Sequence, residues 1–239
     1  MTVHALWSAA RSRSTAFFRS MLARSDLLAL HEPLEGLVYI GPLETAGHRF
    51  ESAQSLIDWL LDGAEGDVFL KETLAPPVME LVLSNERLLA EARHAFLIRR
   101  PVEIAASFLA LEGDLRIHES GVKALHHLFE AVSEAGGHEP VVIDSDDLVA
   151  EPEATMRAYC AAVGLPFMPG ALTWPAGVQP EWERTARWHE DASASTGFFR
   201  PTGGDRHGLA DHPDVRHFVE RHQPFYERLY EHRLPTGGG

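Results

Sequence analysis

The chain has 239 residues, 45% hydrophobic and 23% charged, a composition that excludes the disordered and fibrous classes and provides one domain with a full core. Its formal net charge of −14 argues against non-specific binding to nucleic acid or anionic membrane, because both need a broad basic surface; any bound anion must meet a local basic pocket. Cys160 is the only cysteine, so no internal disulfide can form, and no apolar run reaches the length of a membrane span or a secretory leader; a cytoplasmic location is expected.

The first apolar run, 3–7 (VHALW), reads as a strand, and Ser8 to Arg13 form a small, basic turn. Ser14 or Thr15 then opens a helix whose Phe17/Met21 and Phe18/Leu22 pairs fall on one stripe. A strand, a polar turn and a helix start in succession make an anion cradle: the first N–H groups of the helix are unpaired, and Arg11 and Arg13 add charge. Two further strands are expected at 67–71 (DVFLK) and 94–98 (HAFLI), the first ending on Lys71, one of two lysines in the chain. Pro101 sits where a first helical residue would be, which leaves Arg99 at the strand's functional edge and Ser107 two turns into the next helix. An Arg and a hydroxyl so placed can grip one phosphate, through charge-assisted bonds of about 1.5–3 kcal/mol each.

A helical pattern covers 117–135, and a fourth strand is expected at 140–144 (PVVID). The Asp144, Asp146 and Asp147 turn behind it is read as capping the helix near Glu151 rather than as a magnesium site. Residues 166–212 are rich in Pro, Gly, Trp and His, and are expected to be long loops and short helices wrapped over the sheet end. Asp211 and Pro213 open a last helix, to about residue 231. Strands alternating with helices imply a parallel sheet covered on both faces, with ligands beyond the carboxyl ends of the strands. The whole of 1–239 reads as a single domain.

There is no GxxxxGK[ST] segment, so the lysine of a Walker A loop is missing. The turn Arg11-Ser12-Arg13-Ser14-Thr15 instead resembles the phosphosulfate loop of the sulfotransferases that use 3′-phosphoadenosine 5′-phosphosulfate (PAPS), with Arg13 in place of the usual glycine. Arg99-Arg100-Pro101 followed by Ser107 is similar to the family's 3′-phosphate site. Residues 143–167 are similar to the family's later strand, acidic turn (here DSDDL) and helix ending in Gly-Leu-Pro, and 172–198 are similar to a bacterial subgroup sometimes named as branched-chain aminotransferase-like. The resemblance implies a three-layer, P-loop-like α/β fold and sulfuryl transfer from PAPS to a hydroxyl or amine of a small-molecule acceptor. It also implies donor contacts at Arg11, Ser12, Arg13, Ser14, Thr15, Arg99 and Ser107, with Arg200 in a late Arg/Gly-rich loop. Arg11 would assist the leaving oxygen and Lys71 would lie at the sheet edge. His31, Glu32 and Glu35 of LHEPLEG are the candidate bases, Glu32 first and His31 second. Pro33 breaks any helix through HEPLE and with it a zincin-like reading.

No metal is expected. His207, His212, His217 and His222 recur every five residues, which turns each imidazole about 140° from the last, so they share no helix face. His126 and His127 are expected to be one core and one exposed residue. Trp174, Trp182, Trp188, Phe198 and Phe199 suit either an apolar acceptor or a secondary core. Two other classes remain at this level: an ATP- and magnesium-dependent phosphotransferase of the same architecture, and a catalytically silent nucleotide-binding module.

Overall fold

In the computed structural model, which describes residues 1–113, 115, 121–199 and 208–235, the central element is a parallel sheet. Its strands are β1 (Val3–Ser8), β2 (Leu27–His31), β5 (Asp67–Thr73), β6 (Arg93–Ile98) and β7 (Val141–Asp144), in the order β2-β5-β1-β6-β7. A small antiparallel hairpin, β3 (Leu43–Thr45) and β4 (His48–Phe50), stands apart from it. The register aligns the carboxyl ends: Ser8 is opposite Thr73 and Leu97, His31 opposite Lys71, and Ile98 opposite Asp144. Side chains therefore converge on one edge of the sheet, beside the most central strand, β1.

Alternation along the strands builds two cores. Trp7, Leu70, Phe96 and Val142 face one side, and Leu6, Phe69, Leu97 and Ile143 the other. The first core is covered by α3 (Ala53–Asp62), α4 (Pro76–Leu83), α5 (Glu86–Glu91), α6 (Pro101–Glu112), α7 (Gly121–Ala135) and α11 (Pro213–Glu231), with α2 (Pro33–Tyr39) at its β2 side. The second is covered by α1 (Ser14–Leu22) and α9 (Pro152–Val163), the latter following the short α8 (Ser145–Ala150). The result is a three-layer α/β fold.

The four expected strands and the final helix are present, and the helix expected over 117–135 runs over Gly121–Ala135 in the described residues. His126 is buried and His127 exposed. β2, the β3–β4 hairpin, α2 and α3 lie outside the sequence reading; α2 starts on Pro33, so Pro33 opens a helix there and only His31 and Glu32 of HEPLE stay outside it. β2 is a five-residue edge strand with one fully buried position, so it lacks the strong apolar signal of its neighbours. The three-residue strands of the hairpin are too short for periodicity, and their turn is marked only by the positive φ of Ala46 and Gly47. Asp144 accepts a bond from the Asp146 N–H and caps α8, while α9 starts anew at Pro152. Within 166–199 lie two 3-10 segments, Pro169–Leu172 and Pro180–Trp188, and α10 (Glu190–Ala194). Among the described residues no helix is long and apolar enough to cross a membrane.

Candidate functional site

The turn from β1 into α1 is built on two left-handed residues, Arg11 (φ 63°) and Arg13 (φ 66°). Arg13 is the N-cap of α1 but gives it no side-chain cap, so the first-turn N–H groups are not covered by a side chain. The hydroxyl of Ser12, in the same turn, is buried with no hydrogen-bond partner among the described residues. Buried donors of this kind suit an anion.

The two arginines point to different tasks. Arg11 donates from Nε to Ser107 Oγ at 3.0 Å and from Nη1 to the Trp188 carbonyl at 2.7 Å. Arg13 donates to Asp146 Oδ1 at 2.8 Å, Glu103 Oε2 at 3.0 Å and the Ser145 carbonyl at 3.1 Å. Arg99 joins the two sets, donating to the Arg11 carbonyl at 2.6 Å and to Glu103 Oε2 at 2.8 and 3.0 Å. Arg100 completes the array on Asp146 and Glu103. Burial opposes ionisation of Glu103, but Arg99, with help from Arg13, holds its carboxyl below the ordinary value. Arg11, Arg99 and Ser107, up to 96 residues apart in sequence, thus meet in one cluster. Ser14 and Thr15 line the cavity beside it.

On the other flank of β1, alternation sends Lys71 toward the α1 side and Glu72 toward α2. The Lys71 ammonium is ion-paired with Glu32, whose Oε1 also accepts from Thr73 Oγ1 at 2.7 Å. Burial works against the Glu32 charge, but Lys71 outweighs it and holds this carboxyl far below the usual carboxylate range. Glu72 is fully buried, which pushes its carboxyl well up; it accepts the Leu34 N–H at 2.5 Å and the Glu35 N–H at 3.4 Å. Glu35 is raised to about 7, by burial first and then by the neighbouring Glu32 charge. His31 packs against Phe18, Trp182 and His189 and is pushed well down, by burial and then by Lys71.

A strap from the irregular region closes over the edge. His189 Nδ1 is 2.9 Å from Thr15 Oγ1, and burial followed by the Lys71 charge lowers this imidazole to about 4. Arg19 of α1 anchors the strap by donating to the carbonyls of Ala192, at 2.8 Å, and Gly177, at 3.1 Å, between the rings of Trp174 and Trp182. Trp182 belongs to the second core, whereas Trp188 and Phe199 line a cavity of about 570 Å³ that runs from the β1 turn to Glu35. The aromatic residues of this region therefore divide between core and cavity.

Every described residue expected from the sequence lies at this edge; Arg200 lies outside the described residues. Sequence reasoning missed Thr73, Glu103 and His189. The first two carry a local signal: Thr73 follows Lys71 by two in a strand, and Glu103 follows Arg99 by four in a helix. His189 has none, because a contact with Thr15 across 174 residues leaves no periodic trace. His31, Glu32 and His189 bring potential metal-ligating atoms within 4.8 Å of one another. The ammonium of Lys71 already neutralises the carboxylate of that group, which opposes binding of a second cation there.

Residues 85–230 match the family model of a sulfotransferase domain. The chain is 32% identical over 212 residues, 83% of its length, to branched-chain-amino-acid aminotransferase-like protein 2 of Arabidopsis thaliana, and spans 36% of that relative. A sulfotransferase domain from the Synechococcus PCC 7002 olefin synthase superposes with a TM-score of 0.55 at 15% identity, covering 98% of this chain and 96% of that one. Mouse sulfotransferase SULT7A1, solved in complex with PAP, superposes with a TM-score of 0.51 at 12% identity, over 96% and 87% of the two chains. At such identities these superpositions speak for the fold.

Proposed function

Because the chain belongs to the sulfotransferase domain family, we propose that it moves a sulfuryl group from PAPS to a hydroxyl or amine of a small-molecule acceptor by in-line displacement. The observation that carries this reading is the convergence of Arg11, Ser107 and Arg99 at the carboxyl end of β1 and β6. The match of 85–230 to the family model includes the last two, and the mouse neighbour holds PAP. We read 1–239 as one domain whose irregular segment, about 166–212, covers the site. The strap contacts of Trp188 with Arg11 of the β1 turn and of His189 with Thr15 in the first turn of α1 support that assignment.

In this reading Ser12, Arg13, Ser14 and Thr15 receive the 5′-phosphosulfate on backbone N–H and hydroxyl groups. Arg99 and Ser107, with Arg200, receive the 3′-phosphate. Arg11 stabilises charge on the leaving oxygen, and such preorganised donors contribute most where water is excluded. Lys71 lies on the opposite flank of β1, where the acceptor enters, and a base drawn from His31, Glu32 and Glu35 takes the acceptor's proton. The acceptor side of the cavity is lined by Tyr39, Leu74, Pro76 and Phe199, which favours an apolar or ring-containing molecule. No metal has a step here: the sulfuryl group carries less charge than a triphosphate tail, and arginines neutralise it. A cytoplasmic location fits this substrate class.

Titration calorimetry with adenosine 3′,5′-bisphosphate and, separately, ATP with magnesium tests the donor class. Tight bisphosphate binding, unaffected by chelator, is expected. Preference for ATP with magnesium would instead select a phosphotransferase, and bisphosphate binding without transfer to any acceptor a silent binding module. The structure disfavours the phosphotransferase because Lys71 is committed to Glu32 and cannot take the place of a Walker lysine.

A further inference from the structure

Resting on the sulfotransfer reading, we propose that Glu35, and not Glu32, is the general base that accepts the acceptor's proton, with Glu32, Lys71 and Thr73 forming a fixed floor beside it. Both carboxyls line the same cavity as Arg11, Ser14 and Thr15, so position alone does not separate them. Their partners do. Glu32 is locked by Lys71 and Thr73. The Glu35 carboxyl has no hydrogen bond or ion pair among the described residues, while its backbone N–H is held by the buried Glu72. A fixed main chain with an uncommitted carboxyl directed at a cavity is the arrangement a proton acceptor needs.

Electrostatics agree with this geometry. Two adjacent carboxyls are driven apart in acidity: Glu32 is strongly acidic and a poor proton acceptor, and Glu35 lies at about 7, near the optimum for a base in neutral solution. The groups that face Glu35 are Glu32 at the end of β2, and Lys71 and the buried Glu72 on β5, the last a raised carboxyl that Glu35 itself helps to raise; none from α3, α4 or β3, which also pack on α2, acts on it. In the transfer step the acceptor oxygen forms its bond to sulfur as the bond from sulfur to the 5′-phosphate oxygen breaks. The electron pair leaves with the bisphosphate, the acceptor's proton moves to Glu35, and Glu35 then returns it to solvent.

The test combines a titration with a pH–rate profile. In bisphosphate-bound protein labelled with ¹³C at glutamate carboxyls, the resonance that disappears in Glu35→Gln should titrate near 7 in the wild type; titration in the ordinary range of 4–5 would overturn the assignment. Transfer from PAPS to 2-naphthol, or to water where the phenol is refused, should fall about 100-fold or more in Glu35→Gln, with bisphosphate affinity kept and partial recovery in Glu35→Asp. In Glu32→Gln the ascending limb of the profile should persist and move to lower pH, because the neighbouring negative charge is gone. Loss of that limb in Glu32→Gln, together with its survival in Glu35→Gln, returns the role to Glu32. Absence of bisphosphate binding by the wild type would overturn the sulfotransfer reading and this assignment with it, whereas retained binding with a fully active Glu35→Gln overturns this assignment alone.

Discussion

Replacing Arg13 by glycine sets a backbone gain against a side-chain loss. At φ 66° a residue with a Cβ is strained by about 1–2 kcal/mol relative to glycine. Glycine's greater freedom in the unfolded chain cancels about 0.5 kcal/mol of that relief. The Arg13 side chain is 13% exposed, and its carboxylate partners Glu103 and Asp146 are 24% and 20% exposed, so its two ionic contacts are largely shielded from solvent. At the lower end of the charge-assisted range they contribute about 3 kcal/mol together. Removing Arg13 does not orphan the carboxylates, because Arg99 and Arg100 still hold Glu103 and Arg100 holds Asp146. Arg13→Gly should therefore destabilise the protein by about 2 kcal/mol, and Arg13→Ala, which loses the contacts and keeps the strain, by about 3 kcal/mol. Urea unfolding read at constant m-value measures both, and the glycine variant should melt roughly 4–8 °C below the wild type. A glycine variant as stable as the wild type would show that the carboxylate clamp contributes less than the strain it offsets. Equal stability of the two variants would refute the backbone part of the reasoning.

Arg99→Ala removes a buried guanidinium that bonds both Glu103 and the Arg11 carbonyl. It should weaken adenosine 3′,5′-bisphosphate binding by about 2 kcal/mol or more, some 30-fold in Kd, and calorimetry showing unchanged affinity would remove Arg99 from the site. Stability should also fall on acidification from about pH 6.5 toward 4. Burial first of all depresses His4, His94 and His189 to about 4 and His31 well below its ordinary value. The unfolded chain then takes up protons in this window that the native state refuses; the stabilisation present above 6.5 is lost as pH falls. Glu35 and Glu72 act in the opposite sense, their raised values adding stability below about 4.5 that is lost as pH rises, but the histidines outnumber them. Unfolding midpoints at pH 7 and pH 5 check the sign, and a higher midpoint at pH 5 would contradict it.

The sheet was legible where strands are fully buried. Residues 3–7, 67–71 and 94–98 are continuous apolar runs because helices cover both faces, and Lys71 and Arg99 could be placed at the edge from the ends of those runs. The short edge strand β2 was not legible, since it is partly exposed and only five residues long. The motif residues Arg11, Arg99 and Ser107 were readable from spacing, and they do meet. How their charges are disposed was not. That Arg13 faces Asp146 and Glu103, and that Lys71 takes Glu32 and leaves Glu35 unpaired, follows from contacts between elements 39 to 133 residues apart. A base assignment from sequence alone could choose among His31, Glu32 and Glu35 only by type, because the quantity that separates them is set by neighbours brought in from β5.

β1 lies between β5 and β6, and each flank carries its own polar cluster: Arg99, Glu103 and Ser107 on one side, Lys71, Glu32 and Thr73 on the other. None of the hydrogen bonds described above joins the two clusters across the central strand. The flanks meet instead through the strap, where Trp188 receives Arg11 and His189 packs on His31, so substitutions in α2 that leave His31 and the strap in place spare the arginine array. Such a division lets one half of the edge drift toward new chemistry during descent while the other is inherited intact, and in the laboratory it allows α2 to be randomised as a unit against an unaltered nucleotide half.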